Sequence, residues 1–423
     1  MLSIITPVHA KANAFVKESY ASLVAQTNQD WEWIIVTNSG GAVPKVIAKD
    51  PRVKVYPLAG DDPTGQHNKI GRLKGYACEK ATGDIIVELD ADDLLVPTAL
   101  EEVTSAFADS SVAMVYSNSA EFRDKTWEAS TYSEYYGWQN RPFFYQGREL
   151  KEMLAWPVSS QMMRQIFWAP NHIRAWRTGA YRALGGHDKE IKTGDDHDLC
   201  CRFYIAYGVR GIRHIDKCLY LYRLHGENSC VVFNGDVQTQ TEKNYMKYSR
   251  AMAIRWAKDE GLAMLDLGGR INAWEGFKTV DLMDAEVITN LEDRWPFEDN
   301  SVGVIRASHV FEHLKDPIHT MNEAFRVLAP GGWLFIEVPS TDGRGAFQDP
   351  THISFWNENS IWYYTKKAFS RFIPKFVGRF QNSRTVTYFP SEFERVNNIP
   401  VVQSDLIALK GAYAKRPVGE VLI

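Results

Sequence analysis

The sequence predicts an α/β protein of two domains, and three observations carry that reading. At 423 residues the chain exceeds what one core ordinarily organises. β-rich runs alternate with helically spaced segments up to about residue 230, and a second alternation begins near residue 263. The third observation is an acidic cluster, Asp90, Asp92 and Asp93 in "VELDADDLL", placed straight after the apolar run Ile85-Ile86-Val87. Parallel α/β sheets bind ligands beyond the carboxyl ends of their strands, and the cluster falls at such an end.

Taken in order, "LSIITPV" is a first strand. "NAFVKESYASLVAQT" has helical spacing, with Phe15, Tyr20, Leu23 and Val24 apolar. "WEWIIVTNSG" is a second strand closed by turn residues, and "RVKVYPL" a third. "HNKIGRLKGYACEKATG" predicts a basic amphipathic helix, and "DIIVELD" a fourth strand, together a mainly parallel sheet with helices on both faces. A polar, aromatic stretch, "KTWEASTYSEYYGWQNRPFFYQGRELK", carries no assigned element. Residues 236–262 predict a charged helical connector between domains spanning 1–235 and 263–423. In the second block "AMLDLGG", "FKTVDL" and "VGVIRASHV" are strands. "DPIHTMNEAFRVLAPGG" is a helix ended by Pro-Gly-Gly, "WLFIEVP" a strand, and "RTVTYFP" with "VVQSDLIALK" a closing hairpin.

Composition narrows the class. A hydrophobic fraction of 45% with 24% charged residues is that of a soluble globular protein. The net charge of −4 gives no overall pull toward nucleic acid or anionic membrane, so neither is an expected partner. Five cysteines, odd in number and without a CxxC pair, point to a reduced compartment rather than a disulfide framework or zinc site. "MLSIITPVHA" lacks the pattern of a signal peptide. No apolar run reaches the ~18 residues of a membrane span. A cytoplasmic enzyme is the expectation.

Carboxylates this close repel one another and are costly to desolvate, so something positive is expected to meet them. Two of them at a strand end can reach one divalent cation, Mn²⁺ or Mg²⁺, which takes oxygen ligands and shares them with a diphosphate. The other reading is a turn that caps the helix "VPTALEEVTSAFA".

With "SIITPV", "WEWIIVTNSG", "GRLKGYACEKATGDIIVELDADDLL", "LGGHDKEIKTGDDHDLCCR" and "LYRLHGENS" in this order and spacing, residues 1 to about 230 resemble the inverting, family-two-like GT-A glycosyltransferases, which act on nucleotide-sugars. The resemblance implies a Rossmann-like nucleotide-diphospho-sugar transferase domain. It also implies roles: Asp92 as principal metal ligand, joined by Asp90, which also contacts the donor, and by His225. Asp93 would support the site or face the sugar. Pro7 and Val8 would line the nucleobase pocket, and Asp195-Asp196 would be the acidic pair whose second member, Asp196, deprotonates the acceptor hydroxyl. For Asp195 and Asp196 a helix N-cap is the alternative, and for His225 a structural role. Lys69 and Arg72 are candidates for phosphate contact, or else a solvated face. One departure stands out. Family members carry Asp-Asp after the second strand, where this chain has Asn38-Ser39, whose amide presents a different donor and acceptor pattern to a base. A UDP-sugar remains the expected donor.

The second half, "LDLGG", "GFKTVDL", "WPFEDNSVGVIRASHVFEHL", "MNEAFRVLAPGGWLFIEVP" and "DPTHISFWNENSIWYYT", resembles class I methyltransferases that use S-adenosylmethionine. By that resemblance Asp266, Gly268 and Gly269 form the cofactor loop and Asp281 binds the ribose. Asn290, Leu291 and Glu292 lie near the adenine, and His309 faces the methyl-transfer site. The usual loop has further glycines where this chain has Arg270 and Asn272. His309, Glu312, His313, Asp349 and His352 are read as pocket and helix-face residues, with a shared metal as the alternative. A zinc hydrolase would need more supporting residues than the sequence offers.

The expected function is a metal-dependent inverting glycosyltransferase fused to a methyltransferase that O-methylates the same glycan. The alternatives are a second half that only binds glycan or a partner, and a glycosyl acceptor that is a modified nucleic-acid base.

Overall fold

The computed structural model describes residues 1–58, 69–226 and 228–411, with 229 and 230 described by their backbone alone. The chain divides into two compact units. One comprises residues 1–134 and 138–252; the other begins at Ala253 and includes Tyr135–Gly137. The division falls inside a long helix, Asn234–Asp259, which ends just before Gly261, where a φ of +67° suits glycine.

The first unit is built on β1 (Leu2–Val8), β2 (Trp31–Thr37), β3 (Val53–Pro57), β4 (Ile85–Glu88), β5 (Leu94–Leu95), β6 (Met114–Arg123), β7 (Ala129–Ser130), β8 (Asn140–Tyr145), β9 (Arg148–Met153), β10 (Ala175–Arg177) and β11 (Ile212–Leu224). The strand order is β3-β2-β1-β4-β10-β6-β11-β5. β1 is buried over its whole length, as a strand with helices on both faces must be. Its pairing with β4 stops at Ile5, while pairing with β2 continues to Val8. Pro7 therefore occupies a stretch where one edge of the strand is already unpaired, the setting that tolerates a residue without an N–H.

The sheet is mixed rather than mainly parallel. β1 to β4 are parallel, but β10 runs antiparallel to both β4 and β6, and β5 runs antiparallel to β11. The polar, aromatic stretch without an assigned element supplies β7, β8 and β9. Gln146-Gly147 turns β8 into β9 with φ of +48° and +76°, the two left-handed positions of a tight hairpin turn. The predicted basic helix runs Ile70–Glu79; His67 and Asn68 of that stretch, and Glu227 of "LYRLHGENS", lie outside the described residues.

The second unit holds β12 (Ala263–Leu267), β13 (Lys278–Asp281), β14 (Val287–Ile288), β15 (Val302–Ser308), β16 (Leu328–Pro339), β17 (Phe380–Tyr388) and β18 (Val401–Ala408), in the order β14-β13-β12-β15-β16-β18-β17. Only β18 breaks the parallel run, antiparallel to both neighbours. The helix Pro317–Val327 begins at Asp316, whose carboxylate accepts from the N–H groups of Ile318 and His319. It ends at Leu328, not at the predicted Pro-Gly-Gly, which lies inside β16. β17 and β18 pair as expected, but a short helix, Glu392–Asn397, separates them, so they are no tight hairpin.

Candidate functional site

The three aspartates after β4 meet three different environments. Asp93 is buried, accepting from the Tyr220 hydroxyl at 2.8 Å and the Arg223 N–H at 2.7 Å. Burial and the neighbouring Asp92 and Asp90 push its carboxyl well above the usual range. Tyr220 also holds the turn itself, since its hydroxyl accepts from the Asp90 N–H at 3.1 Å. Asp92 points the other way and pairs with His225 Nε2 at 2.8 Å. That contact raises the imidazole's affinity for its proton. The His225 ring stacks on Phe15, with centroids 5.2 Å apart. Asp90 lies 3.9 Å from both Lys74 Nζ and His172 Nε2. Burial, opposed by Lys74 but reinforced by Asp92 and Glu88, raises its carboxyl to about 6. None of the three caps the helix Ala99–Ala106, which starts at Thr98.

Behind them lies a buried ionic lattice centred on Glu88. This carboxylate is fully buried, with Lys74 at 3.3 Å, Arg174 at 3.1 Å and His187 at 3.1 Å. Burial alone would raise Glu88, but Lys74 and Arg174 outweigh it and hold the group well below the carboxylate range. Arg174 reaches on to Asp196 at 2.8 Å, and His187 to Asp195 at 2.8 Å. His187 stays protonated against its burial because Asp195, Cys78 and Glu88 surround it. His172, buried among cations, is held neutral by desolvation and by Arg174 and Lys74.

Asp195 and Asp196 open the helix Asp195–Tyr207. Its N-cap is Gly194, at φ +78°, so the two acids are not caps; they sit in the first turn, where helix N–H groups favour negative charge. Asp195 is buried against His187, whereas Asp196 keeps 20% of its side chain exposed. Asp196 is ionised: burial opposes this, but Arg174 and Lys74 hold its carboxyl at about 2. The pair therefore divides into one inward anchor and one acid that reaches the surface.

The expected donor-binding residues are spread across the same strand ends. Pro7 and Val8 are buried at the end of β1, and Asn38 follows β2, its N–H bonded to the Val8 carbonyl at 3.0 Å. The Asn38 amide donates to Ser39 at 3.2 Å, while its buried Oδ1 has no hydrogen-bond partner among the described residues. Lys69 is half-buried and paired with Glu190. Arg72 lines a shallow pocket with Leu58, Tyr76 and Lys189.

Two signals for the lattice were present in the sequence. Lys74 falls on the apolar stripe of its helix with Leu73, Ala77 and Cys78, and Glu88 interrupts the apolar strand "IIVE". A charge on a core-facing position needs a buried partner. Arg174, His187 and Tyr220 carried no comparable mark.

In the second unit Asp266 is fully buried at the end of β12, with Arg306 Nη1 at 2.9 and 2.8 Å from its two oxygens and the Trp274 N–H at 2.9 Å. Gly268 has φ +68°, and a Cβ there would lie 2.3 Å from Val310. A Cβ on Gly269 would lie 2.7 Å from the Asp266 side chain. These glycines thus serve close packing within the protein itself. Asp281 is half-buried as the last residue of β13 and accepts from the Leu282 N–H at 2.6 Å. Asn290 is exposed and Glu292 half-buried, paired with Lys315, whereas Leu291 is a core residue beside Trp295. His309 sits past β15 with φ +56°, half-exposed, its Nδ1 3.3 Å from Glu312.

Residues 3–168 match the family model "Glycosyl transferase family 2", and residues 250–374 a "Methyltransferase domain". The chain is 26% identical over 227 residues to the O-antigen biosynthesis protein RfbC of Myxococcus xanthus, covering 52% of this chain and 16% of that protein. It is 25% identical over 240 residues to a chondroitin synthase of Escherichia coli, covering 55% and 30%. It is 34% identical over 113 residues to the E. coli O-antigen biosynthesis glycosyltransferase WbnJ, covering 24% and 39%. The chain thus spans well under half the length of these relatives. Among solved structures, S. aureus TarS 1-349 superposes with a TM-score of only 0.42 and 15% identity, covering 61% of this chain and 69% of that one. The fold and the two family matches agree: the chain carries a family 2 glycosyltransferase domain followed by a methyltransferase domain.

Proposed function

We propose that the first unit transfers a sugar with inversion from a nucleotide-sugar to a hydroxyl acceptor, and that the second O-methylates the same glycan. The observation that carries the first half is the Glu88 lattice. It ties Asp90, on the donor side, to Asp196, on the other, through two buried cations. An inverting displacement needs one carboxylate poised on the acceptor, and rigid support for that geometry is worth several orders of magnitude in rate. In this scheme Asp196 takes the proton of the acceptor hydroxyl as its oxygen bonds to the sugar's anomeric carbon. The bond to the diphosphate breaks on the opposite face, and the nucleoside diphosphate leaves with that electron pair. Asp195, held by His187, positions the turn rather than touching the acceptor.

The residues present suit a divalent cation. Asp92 and His225 stand 2.8 Å apart at the strand end that also carries Asp90, and two carboxylates with an imidazole are a donor set Mn²⁺ accepts. Asp90, Asp92 and His225 would hold it, and it would offset the charge of the departing diphosphate. Asn38, with its unpartnered Oδ1, is assigned to the nucleobase, where it accepts from a base N–H.

S-adenosylmethionine would supply the methyl group, with Asp281 at the ribose and His309 at the acceptor. A competing reading, a second half that only binds, is favoured by Asp266, which Arg306 and the Trp274 N–H already satisfy.

A thermal-shift panel of UDP, GDP, CDP and dTDP, with and without Mn²⁺, and of S-adenosylhomocysteine alone, tests both halves. A ligand at 100 times its dissociation constant stabilises by about 2.7 kcal/mol. One diphosphate that stabilises only with Mn²⁺ is the expected result; no shift with any of them defeats the donor assignment. A melt unmoved by S-adenosylhomocysteine leaves the binding-module reading.

A further inference from the structure

We infer that the second unit holds a divalent transition-metal site formed by Glu312, His313 and His352. One ligand atom from each lies within 4.8 Å of the others, so the side chains need only small rotations to close on one ion at ~2.0–2.2 Å per bond. His309 and His313 would stand one helical turn apart only in a helix beginning at Ser308. The chain instead bends at His309, where φ is +56°, into one short turn, Phe311–His313. The second imidazole comes from the loop after β16, and the two rings stand 5.0 Å apart.

Three features mark the cluster as built. Glu312 is 2% exposed, and neither of its carboxylate oxygens has a hydrogen-bond partner among the described residues; His309 Nδ1 approaches it at 3.3 Å. A carboxylate buried in this way is costly unless a cation compensates it. The two imidazoles are oriented alike. His313 Nδ1 lies 3.1 Å from the Thr351 carbonyl, and His352 Nδ1 3.1 Å from the Ala346 carbonyl. A ring that donates its Nδ1–H to a carbonyl presents the Nε2 lone pair, which is how metal-ligating histidines are commonly held. Finally, the loop is anchored at the ligand itself: the N–H groups of Ile353 and Ser354 donate to the Glu312 carbonyl at 2.8 and 3.0 Å. Asp349 Oδ2, 3.8 Å from His352 Nε2, is the nearest competing partner for that ring.

Two imidazoles and one carboxylate suit Zn²⁺ and related borderline ions rather than Mg²⁺ or Ca²⁺. Three protein ligands leave a position open on a four-coordinate ion, for water or for a hydroxyl or carboxylate oxygen of an acceptor. The site follows β15, at the carboxyl end of the parallel strands, where such sheets take their ligands. It stands independently of any sugar or methyl transfer.

The test is metal retention by the full chain, treated with chelator and dialysed against Zn²⁺. Asp92→Asn is carried throughout, to silence the other candidate cation site. The Asp92→Asn chain should retain one equivalent, and Co²⁺ in place of Zn²⁺ should give visible d–d absorption. Adding Glu312→Gln, His313→Ala or His352→Ala should weaken binding by about 10- to 100-fold or more. Adding His319→Ala, which alters a histidine outside the cluster, should change nothing. Glu312→Gln preserves shape, and circular dichroism confirms folding. No retained Zn²⁺, or equal retention by all the variants, overturns the site.

Discussion

Glu88→Gln isolates the charge of the buried lattice while keeping its shape. In the native protein this carboxylate answers Lys74 at 3.3 Å, Arg174 at 3.1 Å and His187 at 3.1 Å, none of which reaches bulk water. Removing one partner of a buried ion pair typically costs about 3–5 kcal/mol, because the remaining charge is left uncompensated. Here Arg174 keeps Asp196 and His187 keeps Asp195, so the loss falls mainly on Lys74, whose other carboxylate, Asp90, is 3.9 Å away. The low end, about 3 kcal/mol, is therefore the expectation. In a unit of this size each kcal/mol moves the melting temperature by about 2–4 °C, so the variant should melt roughly 6–12 °C lower. Differential scanning calorimetry measures it, and Lys74→Met in the same chain should return part of the loss. A shift of under about 2 °C, well below this scale, would show that the lattice does not hold the site together.

Asp196→Asn should lower glycosyl transfer by about 10²–10⁴-fold, the usual worth of a general base, while Mn²⁺-dependent diphosphate binding by calorimetry stays unchanged. Asp90, with a carboxyl near 6 when folded against 3.8 ordinarily, binds its proton more tightly in the folded state. Its stabilising contribution is full below 3.8 and lost as pH rises through about 6. A cation needs the ionised form, so Mn²⁺ affinity should fall by about tenfold per pH unit below that point, which titrations at three pH values resolve. Arg306→Gln leaves Asp266 buried with only the Trp274 N–H, and should destabilise the second unit by about 3–5 kcal/mol in denaturant unfolding.

Local pattern made the first four strands and most of the second unit legible, because apolar runs such as "LSIITPV" and "VGVIRAS" bury along their length whatever surrounds them. The antiparallel β10 was not legible. It has three residues, Ala175–Arg177, and exists only through its neighbours β4 and β6. The hairpin β8–β9 was hidden by its charged residues, since "RELKEM" carries Arg148, Glu149 and Lys151 exposed among buried Leu150, Glu152 and Met153. In the site, the Asp90 to Asp93 cluster and Asp195-Asp196 were visible as acids in turns. Their cations were not, since Arg174 and His187 stand far from Asp90 in the chain and join the site only through the fold. For the Glu312 cluster the residue types were visible, but the grouping depended on a backbone bend at His309.

Tyr220 has a consequence for how the protein is made. Its hydroxyl binds both the Asp90 N–H and the Asp93 carboxylate, and the same strand brings Arg223 and, just beyond it, His225. As the chain leaves the ribosome, the three aspartates emerge long before these partners. Until residue 225 is out, Asp92 and Asp93 lack His225, Tyr220 and Arg223, and of the turn's cationic partners Lys74 alone precedes it in the chain to face Asp90. The donor side should therefore assemble only when the last strand of the sheet docks. A fragment stopped near residue 170 would retain the acidic motif without the ability to hold it in place.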